Sequence, residues 1–204
     1  MYAVEFFFEE KFEQYVKSIW KGLHDEQITS NMYEISEIRP HMTAAVYKDI
    51  PDLERYSTQF NSFFENLSEL DIKFDILASF PTSGTLFIDP TVTEGLIKLH
   101  KQYHKEFEDL LEFANQYYIP DNWNPHCTVA LQLYSEQMIE AMKYCYQVFI
   151  PQKSKIIGVG LVKLDFESNK CLSSPTIMSK VFKPYESSAI PTQCNSSGDE
   201  GEIY

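Results

Sequence analysis

Basic residues are scarce in this chain. Seventeen Lys and Arg stand against thirty Asp and Glu in 204 residues, a net charge of −13, so it lacks the basic stripe that proteins use to displace counterions from long duplex nucleic acid. Duplex DNA is thereby excluded as a partner, while a small anionic ligand in a local pocket is not. No apolar run approaches the length of a membrane span, and no membrane partner is expected. The opening Met1-Tyr2-Ala3-Val4-Glu5-Phe6 has no basic flank of the kind that begins a signal peptide; the mature chain is expected to start at or near Met1 and to stay in the cytoplasm. Cysteine is sparse as well. Cys127, Cys145, Cys171 and Cys194 are widely spaced and form no C-x-x-C pair, which points to neither a zinc site nor a disulfide framework, but to reduced thiols.

With 44% apolar residues, the chain can bury the core of one large domain or of two small lobes. Residues 185–204 differ in composition: small, polar and acidic, with no Lys or Arg, they read as a disordered tail. Removing them leaves 26 acids and 17 bases in residues 1–184, still net −9. Within that body, runs rich in Val, Ile, Phe and Tyr predict strands at 2–8, 40–47, 71–80, 84–89, 126–134 and 155–166. Apolar residues at spacings of three and four predict helices at 9–27, 51–67, 91–117 and 135–149. Asp89-Pro90-Thr91 and Ser135 are suitable helix starts, and Phe80-Pro81-Thr82-Ser83-Gly84 reads as a turn between strands.

The order of these elements repeats. Strand, helix, strand, helix, strand runs from 2 to 80 and again from 84 to 166, and Pro-His-x-Thr-x-Ala stands at the same place in each pass, at 40–45 and 125–130, with the histidines 85 residues apart. Two copies exclude a solenoid and predict two related lobes, about 1–82 and 83–167, in a single domain spanning 1–184. In an extended strand, residues two apart share a face, so His41 and Thr43 project together, as do His126 and Thr128, while Met42 and Cys127 turn the other way. A pseudo-twofold axis would bring both pairs to one cleft. Two imidazoles in opposite protonation states can take a proton from an attacking oxygen and give one to a leaving oxygen, and the threonine hydroxyls can donate to phosphate oxygens. The residues leave the order of acid and base open.

On these motifs the chain resembles the 2H phosphoesterases, the family of the bacterial 2'-5' RNA ligases and RNA 2',3'-cyclic phosphodiesterases. Two His-x-Thr signatures in a duplicated fold define that family; here they are His41-Met42-Thr43 and His126-Cys127-Thr128, and the resemblance covers about residues 1–167. Phe80-Pro81 through Leu86-Phe87-Ile88 resembles its link between halves. The resemblance implies an α+β, internally duplicated bilobal fold with two antiparallel sheets facing a central cleft and helices outside. It also implies a metal-independent phosphodiesterase acting on 2',3'-cyclic phosphate termini or 2'-5' linkages, with no cofactor. His41 would then be the proton donor and His126 the acceptor. The acidic body favours a short RNA or a small nucleotide as substrate, and a monomer is expected. The alternative is a non-catalytic nucleotide-binding module using the same cleft; a third reading is an interaction protein working through the acidic tail.

Other candidates are weaker. Arg39, which shares the parity of His41, or Lys48 could supply positive charge to phosphate, and Tyr47, Tyr134 and Phe80 could stack a base. His100 and His104 lie four apart, a spacing that can hold a metal, with Glu108 on the same face. Among Lys101, Lys105, Glu106 and Asp109 they read instead as a solvated helix surface, so no metal site is expected. His24 reads as a surface residue near a helix C-terminus, and Cys127 as a small buried apolar residue.

Overall fold

The computed structural model describes residues 1–185; beyond Tyr185, the expected acidic tail lies outside the described residues. The first strand, β1 (Tyr2–Phe8), is buried along nearly its whole length, as a central strand covered on both faces must be. In helix α1 (Glu10–Asp25), Phe12, Val16, Ile19, Trp20 and Leu23 form the buried stripe that its spacing predicts. Strand β2 (His41–Tyr47) follows a long connection. Helix α2 (Leu53–Phe64) is capped by Asp52, whose carboxylate accepts from Arg55 N, and β3 (Leu70–Phe80) closes the first pass. The second pass comprises β4 (Thr85–Pro90), α3 (Glu94–Glu106), β5 (Cys127–Ala130), α4 (Ser135–Val148) and β6 (Gln152–Lys163). The hairpin β7 (Asp165–Glu167) and β8 (Lys170–Ser173) and a last strand, β9 (Thr176–Val181), come after it.

The fold is the α+β, duplicated architecture expected, with several boundaries corrected. The helix predicted over 91–117 is capped by Thr93, stops at Glu106 and continues only as a 3-10 turn, Glu108–Phe113. The strand predicted over 126–134 has four residues. The chain leaves it at Leu131 because the Leu133 backbone N–H is donated to Gly84 O, beside the β3–β4 turn. Gly84 itself has φ +63°, and a Cβ there would lie 2.2 Å from Leu133 O, so glycine is required on both counts.

Strand pairing crosses the sequence repeats. The sheet runs β2-β1-β6-β3-β4-β5, antiparallel throughout, with β9 added beside β6. Each repeat therefore lends its last strand to the other: β3 pairs with β4, and β6 with β1. The spatial halves do not coincide with residues 1–82 and 83–167. Nor are the halves two separate sheets, because the 12-residue β6 pairs with β3 through Gln152–Ile156 and with β1 through Ile156–Lys163.

The duplication extends to an irregularity in the ladder. Val4 faces Ala45 and Glu5 faces Thr43, leaving Ala44 without a partner; Leu86 faces Ala130 and Phe87 faces Thr128, leaving Val129 without one. One bulge thus follows the threonine of each His-x-Thr, and bulges re-aim the side chains beside them.

Candidate active site

Although β2 and β5 end opposite sides of the strand order, they lie against each other. The Cys127 thiol meets the His41 backbone there, turned away from the cleft and fully buried. His41, Thr43, His126 and Thr128 are all partly exposed and line one cavity of about 660 Å³.

Each histidine is held in the same way. His41 Nδ1–H donates to Arg39 O and His126 Nδ1–H to Asn124 O, both at 2.7 Å. A donated Nδ1 proton fixes the neutral tautomer with Nε2 bare, leaving that nitrogen to accept or, when protonated, to give a proton. Burial holds both imidazoles below their ordinary value, and at His126 the charge of His41 adds to the effect. Two like charges in one cleft cannot both be sustained, so the cleft favours at most one imidazolium.

Behind the threonines stand the chain's two tryptophans. Trp123 donates its indole N–H to Thr43 O at 2.8 Å, and Trp20 donates to Thr128 O at 3.1 Å, each reaching from one sequence repeat into the other. His100 stacks face to face on Trp123, with ring centroids 3.9 Å apart. Here a sequence expectation fails. His100 and His104 are not on a solvated surface but buried, and both Nε2 atoms contact Ala44 O, at 3.0 and 3.2 Å. They satisfy the carbonyl that the first bulge leaves without a ladder partner, and the periodicity of α3 put them on its apolar side despite the lysines around them.

Glu5 was missed by sequence reasoning. It lines the cleft, is buried, and places Oε2 3.4 Å from His41 Nδ1. Burial pushes its carboxyl from an ordinary 4.5 to about 8, against the pull of Arg39. The contact is long and the Nδ1 proton is committed to Arg39 O, so near neutrality this is a protonated carboxyl beside a neutral imidazole rather than a standing ion pair. The available signal was a lone acid in the apolar run Ala3-Val4-Glu5-Phe6-Phe7-Phe8.

The other candidates divide. Phe80 lines the cleft and meets the His126 ring edge-on at 5.1 Å. Arg39 does not face the cavity: its guanidinium pairs with Glu13 at 2.6 Å and lies over the Phe7 ring. Tyr47 is buried, with its hydroxyl on that of Tyr103, and cannot stack a base. Tyr134 is exposed at the start of α4 and Lys48 reaches over Phe113; neither lines the cleft. Strand parity alone cannot distinguish a cleft residue from one taken up by a neighbouring acid or hydroxyl. His24 stacks on Tyr33 in the last turn of α1.

A family model of the 2'-5' RNA ligase superfamily matches residues 9–165. The chain belongs to this superfamily. The match agrees with the resemblance to 2H phosphoesterases. Solved structures agree in fold. TT0787 of Thermus thermophilus is 13% identical with a TM-score of 0.56, covering 91% of this chain and 99% of its own. Apo LigT of E. coli is 8% identical with a TM-score of 0.58, covering 89% and 96%. LigT complexed with 3'-AMP is 10% identical with a TM-score of 0.58, covering 89% and 97%. No curated protein matches the chain. Among the described residues no helix is long and apolar enough to cross a membrane.

Proposed function

We propose that this superfamily member is a phosphodiesterase that hydrolyses 2',3'-cyclic phosphate termini or 2'-5' linkages of short RNA or nucleotides, by general acid and base catalysis from His41 and His126 without a metal. The observation that carries the reading is the duplicated anchoring: two imidazoles on one cleft, each with Nδ1 donated to the carbonyl two residues upstream. That arrangement leaves two Nε2 atoms for proton transfer. LigT complexed with 3'-AMP is consistent with a nucleotide in this cleft.

In the forward reaction, neutral His126 removes a proton from water as its oxygen bonds to phosphorus. Protonated His41 gives its proton to the ribose oxygen as the P–O bond to it breaks. The products are a phosphomonoester and a ribose hydroxyl, with His126 protonated and His41 neutral, and proton exchange with solvent restores both. Thr43 and Thr128 hydroxyls donate to the non-bridging oxygens, where charge builds up in the transition state. Phe80 and Phe87, with ring centroids 5.1 Å from His126, keep that imidazole in apolar surroundings that favour its neutral form.

The test is hydrolysis of 2',3'-cyclic nucleotides and short 2'-5' and 3'-5' oligonucleotides in excess chelator, with His41→Ala and His126→Ala alongside. Each variant is expected to lose turnover by a factor of at least about 100. Turnover that persisted in both, or that required added divalent metal, would overturn the mechanism. Binding without turnover in the unmodified protein would favour the nucleotide-binding module instead.

A further inference from the structure

The cleft is short of positive charge to a degree that restricts its substrate. Among the described residues that line it, none is Lys or Arg, and Glu5, His41 and His126 are its only acidic or imidazole side chains. The residues beyond the described part contain no Lys or Arg either. The chain has only two arginines, and both are engaged elsewhere, Arg39 with Glu13 and Arg55 with Asp109. Lys48 lies over Phe113, and Lys170, near the β7–β8 hairpin, pairs with Glu34.

A phosphodiester carries one negative charge at neutral pH, and one imidazolium balances it. A terminal phosphomonoester adds about −1.5 to −2. An anion brought into a partly apolar cavity without a partner loses hydration that nothing replaces, and here the net charge of −13 adds long-range repulsion. The walls are instead suited to uncharged groups. One segment, between the 3-10 turn and β5, presents Asn115, Tyr117, Tyr118 and Asn122. Another, the α1–β2 connection, presents Met32, Ile35 and Ile38. Amides and phenols hydrogen-bond the neutral edges of a base or the hydroxyls of a ribose, and the aliphatic wall packs against their faces.

Resting on the phosphodiesterase reading above, we infer that the cleft takes a phosphodiester bearing a single negative charge with neutral substituents, a nucleoside 2',3'-cyclic phosphate with a free 5'-hydroxyl, and discriminates against the same compound carrying a 5'-phosphate. Selection is by charge rather than by size, so a cation introduced on the cleft wall should relax it. It follows that affinity for the preferred substrate depends weakly on ionic strength, because few ion pairs form on binding.

The probes are adenosine 2',3'-cyclic phosphate and its 5'-phosphorylated derivative, with calorimetric binding and kcat/KM measured on the full chain. A preference of about tenfold or more for the 5'-hydroxyl compound is expected, corresponding to at least one ion pair's worth of missing compensation. Tyr117→Lys, which adds a cation at an exposed position on the cleft wall, is expected to narrow that preference several-fold. Equal or better use of the 5'-phosphorylated compound would overturn the inference and leave the phosphodiesterase reading intact. The expected preference in binding, with no turnover of either compound, would sustain the charge selection and overturn the enzymatic reading. Failure of both to bind would overturn both.

Discussion

Glu5 and Phe87 occupy the same point in the two halves of the ladder, one opposite Thr43 and the other opposite Thr128. The first sets a carboxyl 3.4 Å from His41 Nδ1, and the second an aromatic ring 5.1 Å from the centre of the His126 ring. The symmetry of the motifs therefore breaks in their immediate neighbours. A proton on His41 finds a carboxylate to balance it once Glu5 gives up its own, so the pair can hold one proton on either member. A proton on His126 finds an aromatic ring.

Glu5→Gln keeps the shape of that side chain and removes the proton that the pair retains up to about 8. The alkaline limb of the kcat/KM profile, where the proton donor is lost, is expected to move to lower pH in the variant, while the acid limb set by His126 stays in place. An unmoved alkaline limb in a folded variant would show that Glu5 does not act on the donor.

Stability should pass through a maximum near pH 6.5. His41, His100, His104 and His126 are all held below the ordinary imidazole value, chiefly by burial, His100 down to about 4. The unfolded chain then binds protons that the folded one refuses, so stability is lost as pH falls from 6.5 toward 4. Glu5 acts in the opposite sense. Its folded carboxyl keeps its proton up to about 8 whereas the unfolded one releases it near 4.5, so its contribution is lost as pH rises through that window. Below 6.5 four imidazoles outweigh one carboxyl; between 6.5 and 8 the carboxyl acts alone. Denaturant titrations across pH 5–8.5 should show the dome, and Glu5→Gln should flatten its alkaline side by about 2 kcal/mol. A variant that still lost stability between pH 6.5 and 8 would contradict the assignment.

Much of this fold could be read from period and order. The strand at 2–8 and the helices from 10 and 135 stand where apolar spacing put them, and the duplication located β2 and β5 and, with them, the four His-x-Thr residues on one cleft. What could not be read depended on partners distant in sequence. The exchange of β3 and β6 between repeats leaves no local trace. Arg39 and Tyr47 have suitable chemistry in suitable strands, but Glu13 and Tyr103 take up their polar groups. His100 and His104 looked solvated because lysines flank them, and the carbonyl they serve exists only because a bulge lies 56 and 60 residues upstream.

The indole hydrogen bonds hold the carbonyls of Thr43 and Thr128 rather than any reacting group. Trp123→Phe and Trp20→Phe retain most of the ring and remove the donor. Each is expected to cost about 1–2 kcal/mol of stability and to lower kcat by about three- to tenfold through displacement of the adjacent hydroxyl, with KM little changed. The readout that separates positioning from simple destabilisation is kcat measured well below the variant's melting temperature. Full activity there would mean that the two tryptophans serve packing alone.

The threonines themselves admit the sharpest distinction, because two substitutions change one atom group each. Thr43 and Thr128 project from strands beside unpaired bulge residues, where a β-branched side chain is favoured for the backbone alone. If conformation were their whole role, Thr→Val would preserve activity and Thr→Ser would reduce it. If the hydroxyl donates to a phosphoryl oxygen, the ranking inverts. A hydrogen bond to a charged acceptor contributes about 1.5–3 kcal/mol, so Thr43→Val and Thr128→Val should each lose about 10- to 100-fold in kcat, while the serine variants keep most of it. Since both hydroxyls serve one phosphate, the double valine variant should lose less than the product of the two single losses. Initial rates with a 2',3'-cyclic nucleotide measure all five variants, and valine variants as active as serine ones would remove the threonines from the reaction.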